Sequence, residues 1–335
     1  MYWLCQDRDY GPVVSYTDRS HIHEAPASAV AMGASTICIH TGGISVGPNK
    51  TCNLEPLLGN FNNVLWDIHN YVLHAACNNF YHGGKYSFFN FAGVLTTNKN
   101  KGTKVHANQA ATNTYTSYIL AMLTRVKRYT AFPATMNRPS LPGKPETNPA
   151  VRGLFPNLSS IPLMPLLSTV CQHMEVCPPV ALTTAIVNTI CRFDKNHIVV
   201  NGINGFYNLK TGAVAEGLKV STVDMMTDHS YPRSVGLIQK EQALAKSAKK
   251  GFFIGEFDWT FSHRGNSLSS YLSAIEGAGS YPGNLISRLF IRSTVHGNLA
   301  LNQANILAVV KHWYKVTGRS QPSRLPAVAC RQPVF

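Results

Sequence analysis

Short apolar runs alternate along much of the chain with amphipathic stretches, the order expected of strand and helix units around a parallel sheet. STICIHT (35–41), NHIVVNG (196–202), VDMMTDH (223–229), FFIGEF (252–257) and LISRLFIR (285–292) are predicted strands. Residues 24–33, 62–77, 109–128, 180–193, 236–249, 267–277 and 302–315 are predicted helices. Within 236–249, Leu237, Glu241, Leu244 and Ala248 share one face and Lys240, Lys246 and Lys249 lie away from it, as in a crossover helix covering a sheet. His229 and Glu256 close successive predicted strands 27 residues apart, the length of one strand, loop and helix unit. Both side chains therefore emerge at the C-terminal edge of a parallel sheet, where catalytic groups gather in a (β/α)8 TIM barrel. That barrel is the predicted fold, as one domain over 1–335. A dinucleotide-binding doubly wound sheet is disfavoured, because no glycine-rich phosphate loop follows the first strand.

Two stretches break the pattern. Residues 130–165 carry eight of the 19 prolines, a density that no central strand tolerates. After the helix at 62–77, CNNFYHGGKYSF leaves little room for the next strand of a regular barrel.

Composition narrows the class of protein. With 335 residues, 44% hydrophobic and 14% charged, the chain can bury a large core and is not a disordered polymer. No apolar run reaches the roughly 18 to 20 residues that span a bilayer, so a membrane is not an expected partner. The net charge of +14 would suit a polyanion, but the Lys and Arg are scattered, with short clusters at 125–128 and 246–250, and nucleic acid is not the expected partner. Eight cysteines include no CxxC pair, and neither a metal site nor a cofactor is predicted. The sequons Asn49-Lys50-Thr51 and Asn157-Leu158-Ser159 fit a secreted glycoprotein.

With only 16 acidic residues in the chain, Glu256 is conspicuous. It follows the apolar run Phe252-Phe253-Ile254, where a carboxylate is costly to desolvate unless it is paired or used. At a strand's C-terminal end it is a candidate nucleophile or general acid; the competing reading is a structural carboxylate bonded to a neighbour. In TDHSYP, side chains alternate along an extended segment, so His229 and Tyr231 share a side and can reach the same pocket as Glu256. Trp259 follows Glu256 closely enough to offer a flat apolar face to a ring, whereas Trp313 on its amphipathic helix reads as core.

NHIVVNGINGFYN, VDMMTDHSYP and FFIGEFDWT, in this order and spacing, resemble the glycoside hydrolases of family five, most closely the fungal cellulase- and mannanase-like branch. The likeness extends upstream through AMGASTICIHTGGISVG, EPLLGNFNNVLWDIHNYVLHAA and FYHGGKYSFFNFAGV, and downstream to KHWYKVTGRSQPSRLP. It implies a (β/α)8 barrel that cleaves β-1,4-linked mannan or glucan with retention, using two glutamates. Glu256 matches the nucleophile, and His229 and Tyr231 the groups that position it. In PETNPAVRG the acid/base position falls near Ala150 and Glu146 matches the motif's earlier glutamate, which makes Glu146 the candidate acid/base if the proline-rich loop carries it to the edge. Cys38 stands where the first strand usually has an arginine. His40, Asn79, His82 and Trp259 are the expected sugar contacts, and a β-linked polysaccharide or oligosaccharide is the expected partner. The alternative expectation is a catalytically impaired barrel that binds glycan or serves a structural role.

Overall fold

A computed structural model describes residues 32–33, 92–93, 108–124, 166–167, 180–194, 199–203, 205–258, 265–277, 283–284, 304–316 and 318–321. Five strands, β1 (Leu166–Leu167), β2 (Val200–Asn201), β3 (Met225–Ser230), β4 (Gly251–Phe257) and β5 (Gly283–Asn284), form one sheet in the order β1-β2-β3-β4-β5. Every pairing is parallel. Each new strand is added on the same side as the last, without the reversal that defines a doubly wound sheet.

The helices are α1 (Gln109–Thr124), α2 (Val180–Phe193), α3 (Val235–Ser247), α4 (Leu268–Gly277) and α5 (Ala304–Val316). Three of them begin where a small polar side chain can accept from an otherwise unpaired amide. Asn108 Oδ1 accepts from Ala111 N at 2.9 Å, Ser234 Oγ from Leu237 N at 3.2 Å and Ser267 Oγ from Ser270 N at 3.1 Å. α3 ends at Ser247 with Ala248 as its C-cap, and the φ of 57° at Lys249 turns the chain off the helical path. In α2, Thr183, Ile186, Val187 and Ile190 form a buried stripe at i, i+3, i+4 and i+7.

Ile186, Val187 and Ile190 of that stripe join Met226, Phe252, Ile254 and Phe257 of the sheet, Ile238 and Ala245 of α3, and Leu268, Tyr271 and Leu272 of α4 in one core between the sheet and its helices. Phe206 packs edge-on against Phe252, with centroids 5.7 Å apart. Trp313 of α5 packs against the same core, as its helix pattern predicts.

Two expectations are corrected. The buried face of α3 is centred on Ile238, Glu241 and Ala245, not on Leu237, Leu244 and Ala248. Glu241 docks on backbone amides, so the residues three before and four after it point inward with it, while Leu237 and Leu244 are half-buried and Ala248 is the C-cap. β3 begins at Met225, two residues later than predicted, because Val223 N is bonded to Val220 O in a turn and Asp224 N to Val199 O. The predicted strands 35–41 and 285–292, the helix 62–77, both sequons and every cysteine except Cys191 lie outside the described residues.

Candidate functional site

β3 and β4 run in register from Met225 opposite Gly251 to Asp228 opposite Ile254. The count then slips by one: His229 lies opposite Glu256 and Ser230 opposite Phe257, leaving Gly255 as an extra residue on β4. Side chains alternate in a strand, so this extra residue changes which face the following side chains occupy. Without it Glu256 would stand opposite Ser230, on the face where Asp228 meets α3. With it Glu256 shares a face with His229, and Phe257 turns to the helix side, where its ring lies 5.7 Å from that of Tyr271.

The two ends meet as the alternation of TDHSYP predicts. Tyr231 Oη donates to Glu256 Oε2 at 3.3 Å, and His229 Nδ1 lies 3.9 Å from the same oxygen. The Glu256 side chain is 34% exposed and Tyr231 is 47% exposed, so the cluster opens to solvent at the C-terminal edge of the sheet. Among the described residues Glu256 Oε1 has no hydrogen-bond partner, which leaves one carboxylate oxygen held and the other open. Gly255 presses on this arrangement from behind: a Cβ there would lie 2.7 Å from His229 Nε2 and 2.9 Å from its Cδ2.

Behind His229 and Tyr231 the chain is anchored by Arg233. Its guanidinium donates to the carbonyls of Asp258 and Asn266 and lies 3.5 Å from the Asp258 carboxylate, with both side chains 4% exposed. The ends of β3 and β4 and the entry to α4 are thus tied at one buried cation.

Of the site residues predicted from sequence, His229, Tyr231 and Glu256 are brought together. Glu146, His40, Asn79, His82 and Trp259 lie outside the described residues. Sequence reasoning missed Gly255 as the bulge residue, and it missed Asp228 and Glu241, two buried carboxyls immediately behind the site. A glutamate among apolar positions of a helix face was the available signal for Glu241. Among the described residues no group of three or more His, Cys, Asp or Glu could hold a metal ion.

The described architecture has counterparts among solved structures. An endo-1,4-β-mannanase from Rhizomucor miehei superimposes with a TM-score of 0.60 at 17% identity, over 95% of this chain and 94% of that one. An endo-β-1,4-mannanase from Thermotoga petrophila gives 0.60 at 12% identity, over 92% of this chain and 76% of that one. A mutant glycoside hydrolase family 5 mannosidase from Rhizomucor miehei, solved with mannosyl-fructose, gives 0.58 at 10% identity over 88% of both chains. This chain has a glycoside hydrolase family 5-like fold. No family model and no curated protein sequence matches it. The family 5-like fold is thus recognised through the path of the backbone at low sequence identity.

Proposed function

We propose that this protein is a secreted, retaining glycoside hydrolase of family 5 type, acting on β-1,4-linked mannan or glucan. The whole chain would form one (β/α)8 barrel. The sequential parallel strands support that closure, and so does the Arg319 guanidinium, which donates to the carbonyl of Gly33, 286 positions earlier. The observation that carries the reading is the Glu256 carboxylate at the C-terminal edge of the sheet, bonded through Oε2 to Tyr231 with His229 Nδ1 3.9 Å from the same oxygen, and with Oε1 bonded to nothing among the described residues.

In this reading Oε1 attacks the anomeric carbon as the glycosidic C–O bond breaks, giving a glycosyl ester and a leaving oxygen that takes a proton from the acid/base, assigned to Glu146. Water, deprotonated by the same acid/base, then displaces Glu256 and restores the configuration. Tyr231 stabilises the carboxylate before attack and again as it departs. Trp259, His40, Asn79 and His82 are the proposed sugar contacts, since flat apolar faces and hydrogen-bonding side chains suit a pyranose. Mannan is preferred to glucan because two of these structural neighbours are named mannanases and the third a mannosidase.

The experiment is hydrolysis of soluble mannan and cello-oligosaccharides by the wild type and Glu256→Gln. The amide keeps the shape of the carboxylate but cannot attack carbon, so turnover falls by about a thousandfold or more while oligosaccharide binding persists. Activated aryl glycosides are assayed in parallel, since their leaving groups need little protonation. A wild type inert on every one of these substrates overturns the enzymatic reading, and retained oligosaccharide binding in that case identifies a glycan-binding barrel.

A further inference from the structure

On the opposite face of β3 from His229, two carboxyls converge on one glycine. Asp228 is 2% exposed and Glu241 of α3 is fully buried. A Cβ built on Gly205, whose φ is +88°, would lie 2.7 Å from Asp228 Oδ1 and 3.4 Å from Glu241 Oε1, so both acids crowd the space that only glycine leaves open. Glu241 Oε1 accepts from the amides of Phe206 at 2.7 Å and Tyr207 at 3.1 Å, which fastens α3 to the loop after β2. Glu241 Oε2 is buried and bonded to nothing among the described residues. Asp228 Oδ2 accepts from Ser230 Oγ at 2.8 Å.

The groups around this pair offset it only in part. His229, next to Asp228 in the chain but on the other face of β3, works against the larger effect of burial on Asp228; from α4 comes Tyr271, whose hydroxyl is kept protonated by burial, with both carboxyls adding to that effect. Arg233 bonds the Asp258 and Asn266 carbonyls and lies against the Asp258 carboxylate. Among the described residues neither carboxyl has a Lys or Arg partner. Two unpaired carboxylates side by side in a dry core are costly, and the inexpensive solution is to keep a proton there.

We propose that Asp228 and Glu241 form a proton-holding carboxyl pair that ties α3 and the 205–207 loop to the end of β3, and that they are thereby positioning residues for the contact of His229 with Glu256. The natural seat for the proton is Glu241 Oε2, which has no other bond, leaving Oε1 to accept from both amides. Burial, reinforced by Asp228, pushes Glu241 up to about 9, and burial raises Asp228 as well. When the proton leaves, the two charges repel across Gly205, and the strand end that moves is the one carrying His229.

The test compares the wild type with Glu241→Gln, which keeps the acceptor for the two amides and needs no proton, and with Glu241→Leu, which loses that acceptor. Infrared difference spectra at pH 7 are expected to show a protonated-carboxyl C=O stretch in the wild type that is missing from Glu241→Gln. Between pH 5 and 9 the folding equilibrium constant of the wild type is expected to drop by up to about tenfold per pH unit relative to Glu241→Gln. The ring signal of His229 in histidine-labelled protein, assigned with His229→Gln, should stay in place in Glu241→Gln and move in Glu241→Leu. If either Glu241 variant fails to fold, Asp228→Asn serves instead: it takes away the charge that reinforces burial, so the carboxyl band is expected to shift in frequency and the alkaline loss of stability to level off at lower pH than in the wild type, and no change in either would overturn the proposal. A wild type without the carboxyl band, equal pH slopes in wild type and amide variant, or an unmoved His229 signal in Glu241→Leu would overturn the proposal. None of these readouts is hydrolysis, so the pair stands or falls separately from the glycosidase reading.

Discussion

Gly255 shows how far a site can depend on a side chain that is absent. A methyl group there would sit under 3 Å from two atoms of the His229 ring, closer than packed side chains approach one another. The obstructing group is the movable end of a side chain, so the ring gives way before the backbone does. Gly255→Ala is therefore expected to cost at most about 1–3 kcal/mol of stability. In the proposed enzyme it would also lower turnover by about a hundredfold, because His229 is displaced from Glu256. A denaturant titration beside a rate measurement checks this, and a variant as active as the wild type refutes the role given to His229. At this scale Glu256, His229 and Tyr231 were legible, since strand alternation and a lone acid after an apolar run are local signals. Gly255 and Asp228 were not, and Glu241 showed only as a polar residue on an apolar helix face. Their meaning lies in contacts between segments, and a one-residue slip between two strands leaves no mark in either strand alone.

At the scale of elements, the β3–α3–β4 unit is closed at its far end by Lys250. Its ammonium donates to the carbonyls of Val220 and Val223 at 2.6 Å each, and burial lowers its pKa while Asp224 opposes that shift. Asp224 in turn accepts from Val199 N at 2.8 Å, and its own carbonyl accepts from Gly251 N at 2.9 Å, so the starts of β2, β3 and β4 are joined around one cation. Lys250→Met keeps the length of the side chain but takes the donor from the Val223 carbonyl and leaves the Val220 carbonyl with the Val223 amide alone. The expected loss is about 1–3 kcal/mol in equilibrium unfolding, with the His229–Glu256 edge unaffected at temperatures where the variant is folded. A loss below about 1 kcal/mol would show that water replaces the ammonium without cost. The elements themselves were the most legible part of the chain: α2 spans Val180–Phe193 as its periodicity predicts, and β4 starts one residue before the expected 252. The helix face of α3 was misjudged because apolar counting places leucines inside, whereas a glutamate with two amide partners set the rotation.

Across the whole molecule, two sets of buried titrating groups oppose one another. α5 is pinned to α4 by Glu276, whose carboxylate bonds His312 at 2.9 Å and Lys315. Burial lowers the pKa of His312 despite Glu276, so the unfolded chain takes up a proton near the ordinary value of 6.5 that the folded one resists. Stability from this group is present above pH 6.5 and is lost as pH falls through the folded value. Burial alone would raise Glu276, but its bonds to Lys315 and His312 outweigh that and hold it low, so its contribution is likewise lost in acid, below the ordinary 4.5. Glu241 runs the other way. Its raised value means stability is fully present below 4.5 and is lost as pH climbs to about 9. Urea midpoints measured across this range should flatten on the acid side in His312→Gln and on the alkaline side in Glu241→Gln; an unchanged acid limb in His312→Gln would remove that histidine from the account. The parallel wall was legible at this scale because strand and helix signals recur in order. The charge of +14 was not informative, since no fold follows from net charge.

The register slip in β4 also makes the site a matter of odd and even. A pleated strand sorts its side chains by parity, and β4 carries one residue more than β3 between the last regular pair and the carboxylate. Any insertion or deletion of a single residue there reverses the sorting, sending Glu256 into the helix layer and Phe257 to the open edge, with every other residue of the chain unchanged. Substitutions can weaken this site by degrees, whereas a change of length by one turns it inside out.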